Sequence, residues 1–433
     1  MFRTIVLAVL VLRVPVFAQS TFHGDNARTG VFRSAAPAAM PKVVWKFQTG
    51  APIMSSAAVA DGVVYIASDD SFLYALDEAS GALKWKFETQ GRVSSSPAVR
   101  DGVVYVGSFD GGFYAVDAAT GKQKWKFETE TERRFAALGI HGNQPAKQVM
   151  PDAWDFYQSS PVVERGRVYF GSGDGYVYAL DAATGGLRWK FQTGDVVHSS
   201  PAIAGNTVYV GSFDTWLYAL DADRGTERWR FKTGEDPVRH NQTGITSSPV
   251  VVGGTVYIGC RDAHVYAIDA ATGAQKWSFY TDHGWVSATP AVRDGVLYIG
   301  TGSNQTFLAL DVATGKPRFV VPIKTAVFSS VALAGALAIV GTFSGELDAF
   351  DTKTGALAWQ FLTDARKLDP RKILKPDGTL DPDVLGKSAL TDFENMYVMM
   401  DKRLSIGAFL GSPVVDRGMI FVGSADGVLY ALR

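Results

Sequence analysis

The sequence predicts an all-β protein, an eight-bladed β-propeller whose blades are four-stranded antiparallel sheets. A unit of about 40 residues recurs eight times, and a period of this length is typical of propellers and solenoids. Each copy contains four short runs rich in Val, Tyr, Ile, Phe and Trp, which favour β-strands. Turn dipeptides such as Asp101-Gly102, Asp110-Gly111 and Thr120-Gly121 separate the runs. Four antiparallel strands in a unit of this length form one blade.

The copies align on a pair of small residues that precedes the first strand of each unit. The pairs are Ser55-Ser56, Ser95-Ser96, Ser159-Ser160, Ser199-Ser200, Ser247-Ser248, Ala288-Thr289, Ser329-Ser330 and Gly411-Ser412. Three spacings exceed the common 40 or 41, which predicts insertions near residues 131–158, 235–246 and 364–410. All three fall between an outer strand and the next inner strand, and therefore on one face. Extra loop length on one face predicts the binding face.

The eighth copy is split between the two ends of the sequence. The chain ends at Arg433, just after a third strand, and the missing fourth strand with its tryptophan lies near Trp45. Joining these segments into one blade pairs two sheet edges that would otherwise stay open. We therefore expect residues 43–433 to form a closed ring whose last blade is completed by the N-terminal strand. A seven-bladed ring would leave one copy unused.

The first residues are typical of a secretion signal. Arg3 precedes an apolar stretch, and small residues end at Ala18, so we expect a signal peptide at 1–18 and an N-terminal arm at 19–42. The alternative is a partly apolar arm. Cys260 is the only cysteine, so no internal disulfide and no lipid-bearing cysteine after the signal are expected. These features predict a soluble periplasmic or secreted protein without a lipid anchor or transmembrane segment.

The charge balance limits the classes of partner. The formal net charge of −1 gives no overall attraction to nucleic acid or to an anionic membrane. We therefore expect no nucleic-acid partner.

A recurrent motif indicates a family. Ala179, Asp181, Thr184, Gly185 and Trp189 have the spacing Ala-x-Asp-x-x-Thr-Gly-x-x-x-Trp, which two further copies repeat. This pattern resembles the tryptophan-docking motif of the pyrroloquinoline-quinone-like (PQQ-like) propellers. The resemblance implies that the tryptophans pack between blades, a role that suits a large side chain needing one hydrogen bond.

That superfamily has two branches with different functions. The quinoprotein alcohol dehydrogenases hold the quinone and a calcium ion in an eight-bladed propeller. The propeller subunit of the outer-membrane β-barrel assembly machinery, which this chain also resembles, is not an enzyme. Because both branches share the motif, it indicates the fold and leaves the function open.

Polar and aromatic residues near the inner strands predict a pocket at the central mouth of the insertion-bearing face. The candidates for ligand contact are Tyr157, His198, His240, Asn241, Arg261, His283 and Trp285. The alternative is that histidines collect in solvated loops. Aromatic and methionine side chains in the insertions suggest a lid, a partner surface or a plug in the mouth.

A dehydrogenase would need a general base, normally an aspartate, and a divalent ion held by oxygen ligands. Asp155 and Asp262 are the candidate catalytic residues. Asp262 also belongs to a set of turn aspartates that includes Asp70, Asp110 and Asp174, and turn aspartates accept local hydrogen bonds. The adjacent cysteine pair of many quinoprotein alcohol dehydrogenases is impossible with one cysteine.

The favoured function is an exported, non-catalytic binding or scaffolding module of the cell envelope. Its partner would be an envelope protein or a small ligand at the insertion-bearing face. The alternative is a periplasmic quinoprotein dehydrogenase of alcohols or sugars, with PQQ and calcium as cofactors.

Overall fold

The computed structural model describes residues 20–234, 244–386 and 391–433 and confirms the eight-bladed ring. Each blade runs from an inner strand at the central axis to an outer strand, and blades are numbered in chain order. Blade 1 consists of Ala58–Ala60, Val63–Ala67, Phe72–Asp77 and Leu83–Glu88, and blade 2 of Ala98–Arg100, Val103–Gly107, Gly112–Asp117 and Gln123–Glu128. Blade 3 consists of Val162–Glu164, Arg167–Gly171, Tyr176–Asp181 and Leu187–Gln192, and blade 4 of Ala202–Ala204, Thr207–Gly211, Trp216–Asp221 and Glu227–Lys232.

Blades 5 to 8 repeat the order, and the last blade is closed by the N-terminal strand as predicted. Blade 5 consists of Val250–Val252, Thr255–Gly259, His264–Asp269 and Gln275–Tyr280, and blade 6 of Ala291–Arg293, Val296–Gly300, Thr306–Asp311 and Pro317–Pro322. Blade 7 consists of Ala332–Ala334, Leu337–Gly341, Glu346–Asp351 and Leu357–Leu362, and blade 8 of Val414–Asp416, Met419–Gly423, Val428–Leu432 and Val43–Gln48.

Burial follows the position of a strand in its blade. In blade 3 the central residues of Tyr176–Asp181 are all buried, whereas Leu187–Gln192 alternates between exposed and covered positions. Strands inside a blade are covered by neighbouring blades on both faces, while outer strands present alternate side chains to water. Trp189 is the covered position of the outer strand.

The tryptophans join neighbouring blades, as the motif predicts. Trp125 of blade 2 donates its indole N–H to the carbonyl oxygen of Ala182 in blade 3 at 3.1 Å. Its ring lies against Gly185, whose φ is +74°, and a Cβ there would lie 2.7 Å from the ring. The glycine therefore provides both the left-handed turn and the space for the indole.

A ring of hydrogen bonds encircles the axis. In each copy the second residue of the small pair uses its hydroxyl oxygen to accept the backbone N–H of its counterpart in a neighbouring blade. The eight residues are Ser56, Ser96, Ser160, Ser200, Ser248, Thr289, Ser330 and Ser412.

The N-terminal arm covers the face opposite the insertions. Carbonyl oxygens of Ser20, Asn26, Ala27, Thr29 and Gly30 accept backbone N–H groups from inner strands of blades 2, 4, 5, 6 and 7, respectively. The arm also adds the short strand Val31–Phe32 in parallel to the inner strand of blade 7, which gives that blade five strands rather than four. Arg28 is fully buried and donates to carbonyl oxygens of the arm and of blades 3 and 4.

The first and third insertions lie together on the other face. The first contains the hairpin Ala136–Leu138 and Val149–Pro151 with the short 3-10 helix Ile140–Gly142. The third contains helices α1 (Asp364–Leu368), α2 (Pro382–Leu385) and α3 (Asp392–Leu404), which the all-β prediction did not anticipate. Thr391 and Glu394 form a capping box at the start of α3.

Three predicted features fall outside the described residues: the signal peptide at 1–18, His240 and Asn241. Within the ranges that the structure describes, no helix is long and apolar enough to cross a membrane.

Candidate functional site

An aromatic plug from the first insertion fills the central mouth. Trp154, Phe156 and Tyr157 pack with Phe328 and Phe343 of the link and turn beside blade 7. The Tyr157 hydroxyl donates to the carbonyl oxygens of Phe328 at 3.1 Å and Leu410 at 3.3 Å. Burial raises the pKa of Tyr157 well above its ordinary value, so it remains a neutral donor. The sequence left three roles open for these aromatic side chains, a lid, a partner surface or a plug, and in the structure they form a plug.

Below the plug, the axial channel is too small for an organic ligand. It is closed at the arm side by Phe22 and encloses a space of about 30 Å³ among the ring hydroxyls. One water needs about 10–15 Å³ of such space, so the channel has room for about two waters. Any larger ligand must bind above the plug or beside it.

One buried ion-pair network supports the plug from beneath. His198 is 2% exposed, and its Nδ1 lies 2.7 Å from Asp155 Oδ1 while its Nε2 lies 2.9 Å from Glu132 Oε1. Burial opposes the charged imidazolium, but Asp155 and Glu132 outweigh it and raise the pKa of His198 to about 10. The second oxygen of Asp155 accepts the backbone N–H of Phe135 at 2.7 Å. Asp155 and His198 therefore hold the insertion onto the ring as an ion pair.

A second buried network lies beside it. Asp152 Oδ2 accepts from Arg261 Nη1 at 2.5 Å, and Asp152 Oδ1 lies 2.8 Å from His141 Nε2. Burial opposes the ionised carboxylate, but Arg261 and His141 outweigh it and hold the pKa of Asp152 well below its ordinary value. The Arg261 guanidinium stacks 4.3 Å from the Trp285 ring centroid.

Asp152 also shapes the plug through the backbone. The strand Val149–Pro151 ends there, and Asp152 Oδ1 accepts the N–H of Trp154 two residues later at 2.9 Å. An aspartate that bonds its own backbone in this way turns the chain. The turn directs Trp154 and Phe156 towards the mouth.

Asp262 has the turn role that the repeat suggests. It is fully buried, and its Oδ2 accepts from the Tyr266 hydroxyl at 2.5 Å and the Gly234 N–H at 2.8 Å. Its Oδ1 accepts the N–H of His264 at 3.0 Å. The same aspartate–tyrosine pair occurs at the corresponding positions of blades 1 to 4.

Cavity A, of about 330 Å³, lies on this face between the first insertion, the third insertion and blades 6 and 7. Its walls include the aromatic side chains Trp154, Trp285, Phe328 and Phe343. Trp154 meets Trp285 edge-on with ring centroids 5.9 Å apart. Such walls suit a flat apolar or aromatic group.

Polar groups line one side of cavity A. Ser303 and Gln305 come from the turn between the second and third strands of blade 6, and Arg403 comes from α3. The Arg403 guanidinium lies 5.6 Å from the Trp154 ring centroid, and its Nε is buried without a hydrogen-bond partner. Burial lowers the pKa of Arg403. The arrangement can bind an apolar group that carries a hydrogen-bond acceptor or a negative charge.

Cavity B lies next to cavity A under the third insertion and has a volume of about 310 Å³. It shares Trp154 and His141 with cavity A and is otherwise lined by residues that include Leu385, Met396 and Met399. Methionine side chains adapt to varied apolar shapes. Together the cavities form a groove along α3.

The sequence-predicted residues divide by position. Trp285 lines cavity A and Arg261 stacks on it, Asp155 and His198 pair with each other, and Tyr157 belongs to the plug. His283 is remote from the mouth, since its Nδ1 lies 2.7 Å from the hydroxyl of Tyr280 on an outer strand.

Sequence reasoning missed Phe343 and Arg403 as site residues. Phe343 occupies a turn position at which blades 2 and 4 also have phenylalanine, Phe109 and Phe213, so the sequence does not single it out. Arg403 follows the methionine run without a motif. The aromatic run around Trp154 was the available signal for the plug.

The side chains of the site do not fit a calcium-bound quinone. Both oxygens of Asp155 and of Asp262 are already engaged within the protein. In residues 20–234, 244–386 and 391–433, no group of three His, Cys, Asp or Glu side chains could hold a metal ion. We therefore derive no reaction step through this cofactor.

Comparison with known proteins identifies the family. The family model described as outer membrane protein assembly factor BamB matches residues 35–153 and 141–361. A curated relative, outer membrane protein assembly factor BamB of Nitrosomonas eutropha (strain DSM 101675 / C91 / Nm57), is 30% identical over 148 residues. That match covers 33% of this chain and 35% of the relative, so the chain aligns with about a third of the relative's length.

Solved structures share the architecture. BamB from Moraxella catarrhalis has a TM-score of 0.64 at 16% identity, with 91% of this chain and 98% of that chain covered. A europium-containing methanol dehydrogenase has a TM-score of 0.70 at 15% identity, with 96% and 98% covered. Quinohemoprotein alcohol dehydrogenase from Comamonas testosteroni has a TM-score of 0.67 at 16% identity, with 96% and 80% covered.

At these identities the structural likeness shows the fold alone, and it includes both branches of the superfamily. The family model, in contrast, matches most of the chain. The chain belongs to the family of PQQ-like propellers described as outer membrane protein assembly factor BamB.

Proposed function

We propose that this chain is a non-catalytic propeller of the cell envelope that binds a protein partner at cavity A. The family description, an outer membrane protein assembly factor, supports a location in the envelope. Solubility and the absence of a lipid anchor stay predictions from the sequence.

The observation that carries the proposal is the composition of cavity A. Four aromatic side chains form its walls, and Arg403 lies beside Trp154 with a buried Nε that has no hydrogen-bond partner among the described residues. Aromatic anchors that fill desolvated pockets dominate protein interfaces, and arginine is enriched there. The expected partner segment carries an aromatic or bulky apolar side chain next to a carbonyl or carboxylate.

The nearby carboxylates support binding rather than catalysis. A general base must reach the proton that it removes, within about 3.2 Å. Asp155 is 1% exposed and Asp262 is fully buried, and their oxygens already accept protein hydrogen bonds. The alternative proposal, a PQQ- and calcium-dependent dehydrogenase, would need these side chains to be released.

The proposal is tested by site-specific photo-crosslinking in living cells. A benzophenone amino acid replaces Ser303, an exposed residue that lines cavity A, or Ser80, an exposed residue of a turn on the opposite face. We expect a crosslink to one envelope protein from position 303 and none to that protein from position 80.

A cavity-filling pair provides the matched control. Ala326 lines cavity A, whereas Ala336 is exposed in a turn of blade 7 on the opposite face. Ala326→Phe should abolish the crosslink and Ala336→Phe should leave it unchanged. A crosslink that survives Ala326→Phe would contradict binding at cavity A.

Calorimetric titration with PQQ, with and without calcium, separates the two candidate functions. We expect no heat of binding. Calcium-dependent binding of PQQ that is lost in Ala326→Phe would instead support the dehydrogenase.

A further inference from the structure

A third cavity on the same face is lined by two arginines, neither of which forms an ion pair across the described ranges. Cavity C has a volume of about 230 Å³ and lies on the other side of the plug from cavity A, between blades 1 and 2 and helix α3. Arg92 and Arg134 line it, together with Phe156 of the plug and Met400 and Leu404 of α3.

Arg92 comes from the link between blades 1 and 2. Its guanidinium lies 4.4 Å from the Phe109 ring centroid, which fixes its plane. Burial and the nearby charge of Arg134 lower the pKa of Arg92. A guanidinium that is partly desolvated beside another cation favours the approach of an anion.

Arg134 comes from the first insertion. Its Nε is buried and has no hydrogen-bond partner. The adjacent Arg133 differs, because it forms an ion pair with Asp195 at 2.9 Å. Across the described ranges, no carboxylate lies within 4.0 Å of a guanidinium nitrogen of Arg92 or Arg134.

Within the described ranges, the acids that line cavity C form no ion pair with these two arginines. Asp69 Oδ1 accepts from the Ser94 hydroxyl at 2.7 Å; burial raises the pKa of Asp69, and the nearby charges of Arg92 and Arg134 oppose that rise. Asp401 forms an ion pair with Arg371 at 2.7 Å. The rest of the wall is mainly apolar, so the two arginines leave a positive charge at one end of an apolar space.

We propose that cavity C binds a small organic monocarboxylate, whose carboxylate lies between Arg92 and Arg134 and whose apolar body packs on Phe156, Met400 and Leu404. Guanidinium groups bind carboxylates with two parallel hydrogen bonds, and a carboxylate bridging two of them removes their mutual repulsion. The volume suits a body the size of one aromatic ring, since an apolar cavity of about 150 Å³ holds benzene. This site does not depend on the partner proposed for cavity A.

The test is calorimetric titration of the purified full chain with sodium benzoate at low salt. Benzamide serves as the neutral probe of the same shape, and inorganic phosphate serves as the anion without an apolar body. We expect benzoate to bind and the other two probes to bind at least about tenfold more weakly, because benzamide lacks the negative charge and phosphate lacks the apolar body.

Matched variants test whether the charges of Arg92 and Arg134 bind the carboxylate. Arg92→Gln and Arg134→Gln should each weaken benzoate binding about tenfold or more, since each removes charge-assisted hydrogen bonds. Arg133→Gln removes a neighbouring charge outside the cavity and should change affinity by less than about twofold. Ala326→Phe, which fills cavity A, should also leave benzoate binding unchanged, so failure at one cavity is distinguishable from failure at the other.

Melting temperature separates binding from a structural role. Because neither arginine forms an ion pair across the described ranges, neither glutamine variant should lower the melting temperature of the free protein by more than about 2 °C. Equal binding of benzoate and benzamide, tighter binding of phosphate, or a fall in melting temperature with unchanged benzoate affinity would each overturn the proposal.

Discussion

Ser412 donates its backbone N–H to the hydroxyl oxygen of Ser56 at 2.8 Å, although the two residues are 356 positions apart in the chain. This bond closes the ring of eight hydroxyl–amide contacts around the axis. Both residues are buried, at 5% and 2% exposure. The small pair that defines the repeat therefore has a specific role: it links the inner strand of each blade to its neighbour.

Removing one hydroxyl of this ring should destabilise the protein. Ser56→Ala leaves the Ser412 N–H buried without its acceptor, which costs about 1–3 kcal/mol. Ser303→Ala, at an exposed position of the blade 6 turn, should cost less than about 0.5 kcal/mol. Urea unfolding followed by tryptophan fluorescence measures both variants. Equal losses would mean that water in the channel satisfies Ser412 and that the ring contributes little.

The glycine beneath each tryptophan allows steric contact to be separated from backbone conformation. Gly185 and Gly166 have similar φ values of +74° and +70°, but an added Cβ at Gly185 would meet Trp125 at 2.7 Å and at Gly166 would meet nothing within 4 Å. Gly166→Ala should cost about 1–2 kcal/mol for the left-handed backbone alone. Gly185→Ala should cost about 1–3 kcal/mol more, because the indole must move. Denaturant unfolding of the two variants compares them, and equal costs would show that Trp125 does not need this glycine.

Most of the fold could be predicted from the sequence because each copy of the repeat makes the same contacts. Gly185, Trp125 and Ser160 occupy positions that recur in other copies, so one copy explains most of the ring. The arm and α3 occur once. Arg28 bonds to carbonyl oxygens from residues more than 130 positions away, and no local pattern signals such contacts.

The ion pairs beneath the plug should give the protein a characteristic pH dependence. The folded-state pKa of His198, about 10, lies above its ordinary value of 6.5, so the charged imidazole stabilises the fold fully below about pH 6.5. That contribution is lost as pH rises from 6.5 through 10. His198→Gln should therefore destabilise the protein most at pH 6 and least at pH 10, as measured by denaturant unfolding at each pH.

A control for this prediction is His283→Gln, because His283 contacts the exposed Tyr280 hydroxyl at the edge of blade 5. Its effect should be small at every pH. A cost of His198→Gln that stays constant from pH 6 to pH 10 would show that His198 is neutral in the folded protein and that its carboxylate partners do not hold a charge on it.

The site was harder to predict than the fold because its residues are far apart in sequence. His198 and Asp155 were expected near the axis, and the structure brings them together, but as an internal ion pair. Their partner Glu132 has no motif that would indicate it. Cavity A depends on how two insertions pack, which spacing within the repeat does not determine.

The ion pair between Arg261 and Asp152 lies under cavity A and should be strongly coupled. Both side chains are almost fully buried, so Arg261→Met removes the cationic partner of Asp152 Oδ2, leaves His141 and the Trp154 N–H on the other oxygen, and should cost about 3–5 kcal/mol. Adding Asp152→Leu should recover part of this loss, because the double variant contains no unpaired charge. Arg188→Met removes an exposed pair with Asp181 and should cost less than about 1 kcal/mol. Denaturant unfolding of the single and double variants gives the double-mutant cycle for Arg261 and Asp152. Additive losses would show that the two charges do not stabilise each other and that Arg261 acts only through its packing on Trp285.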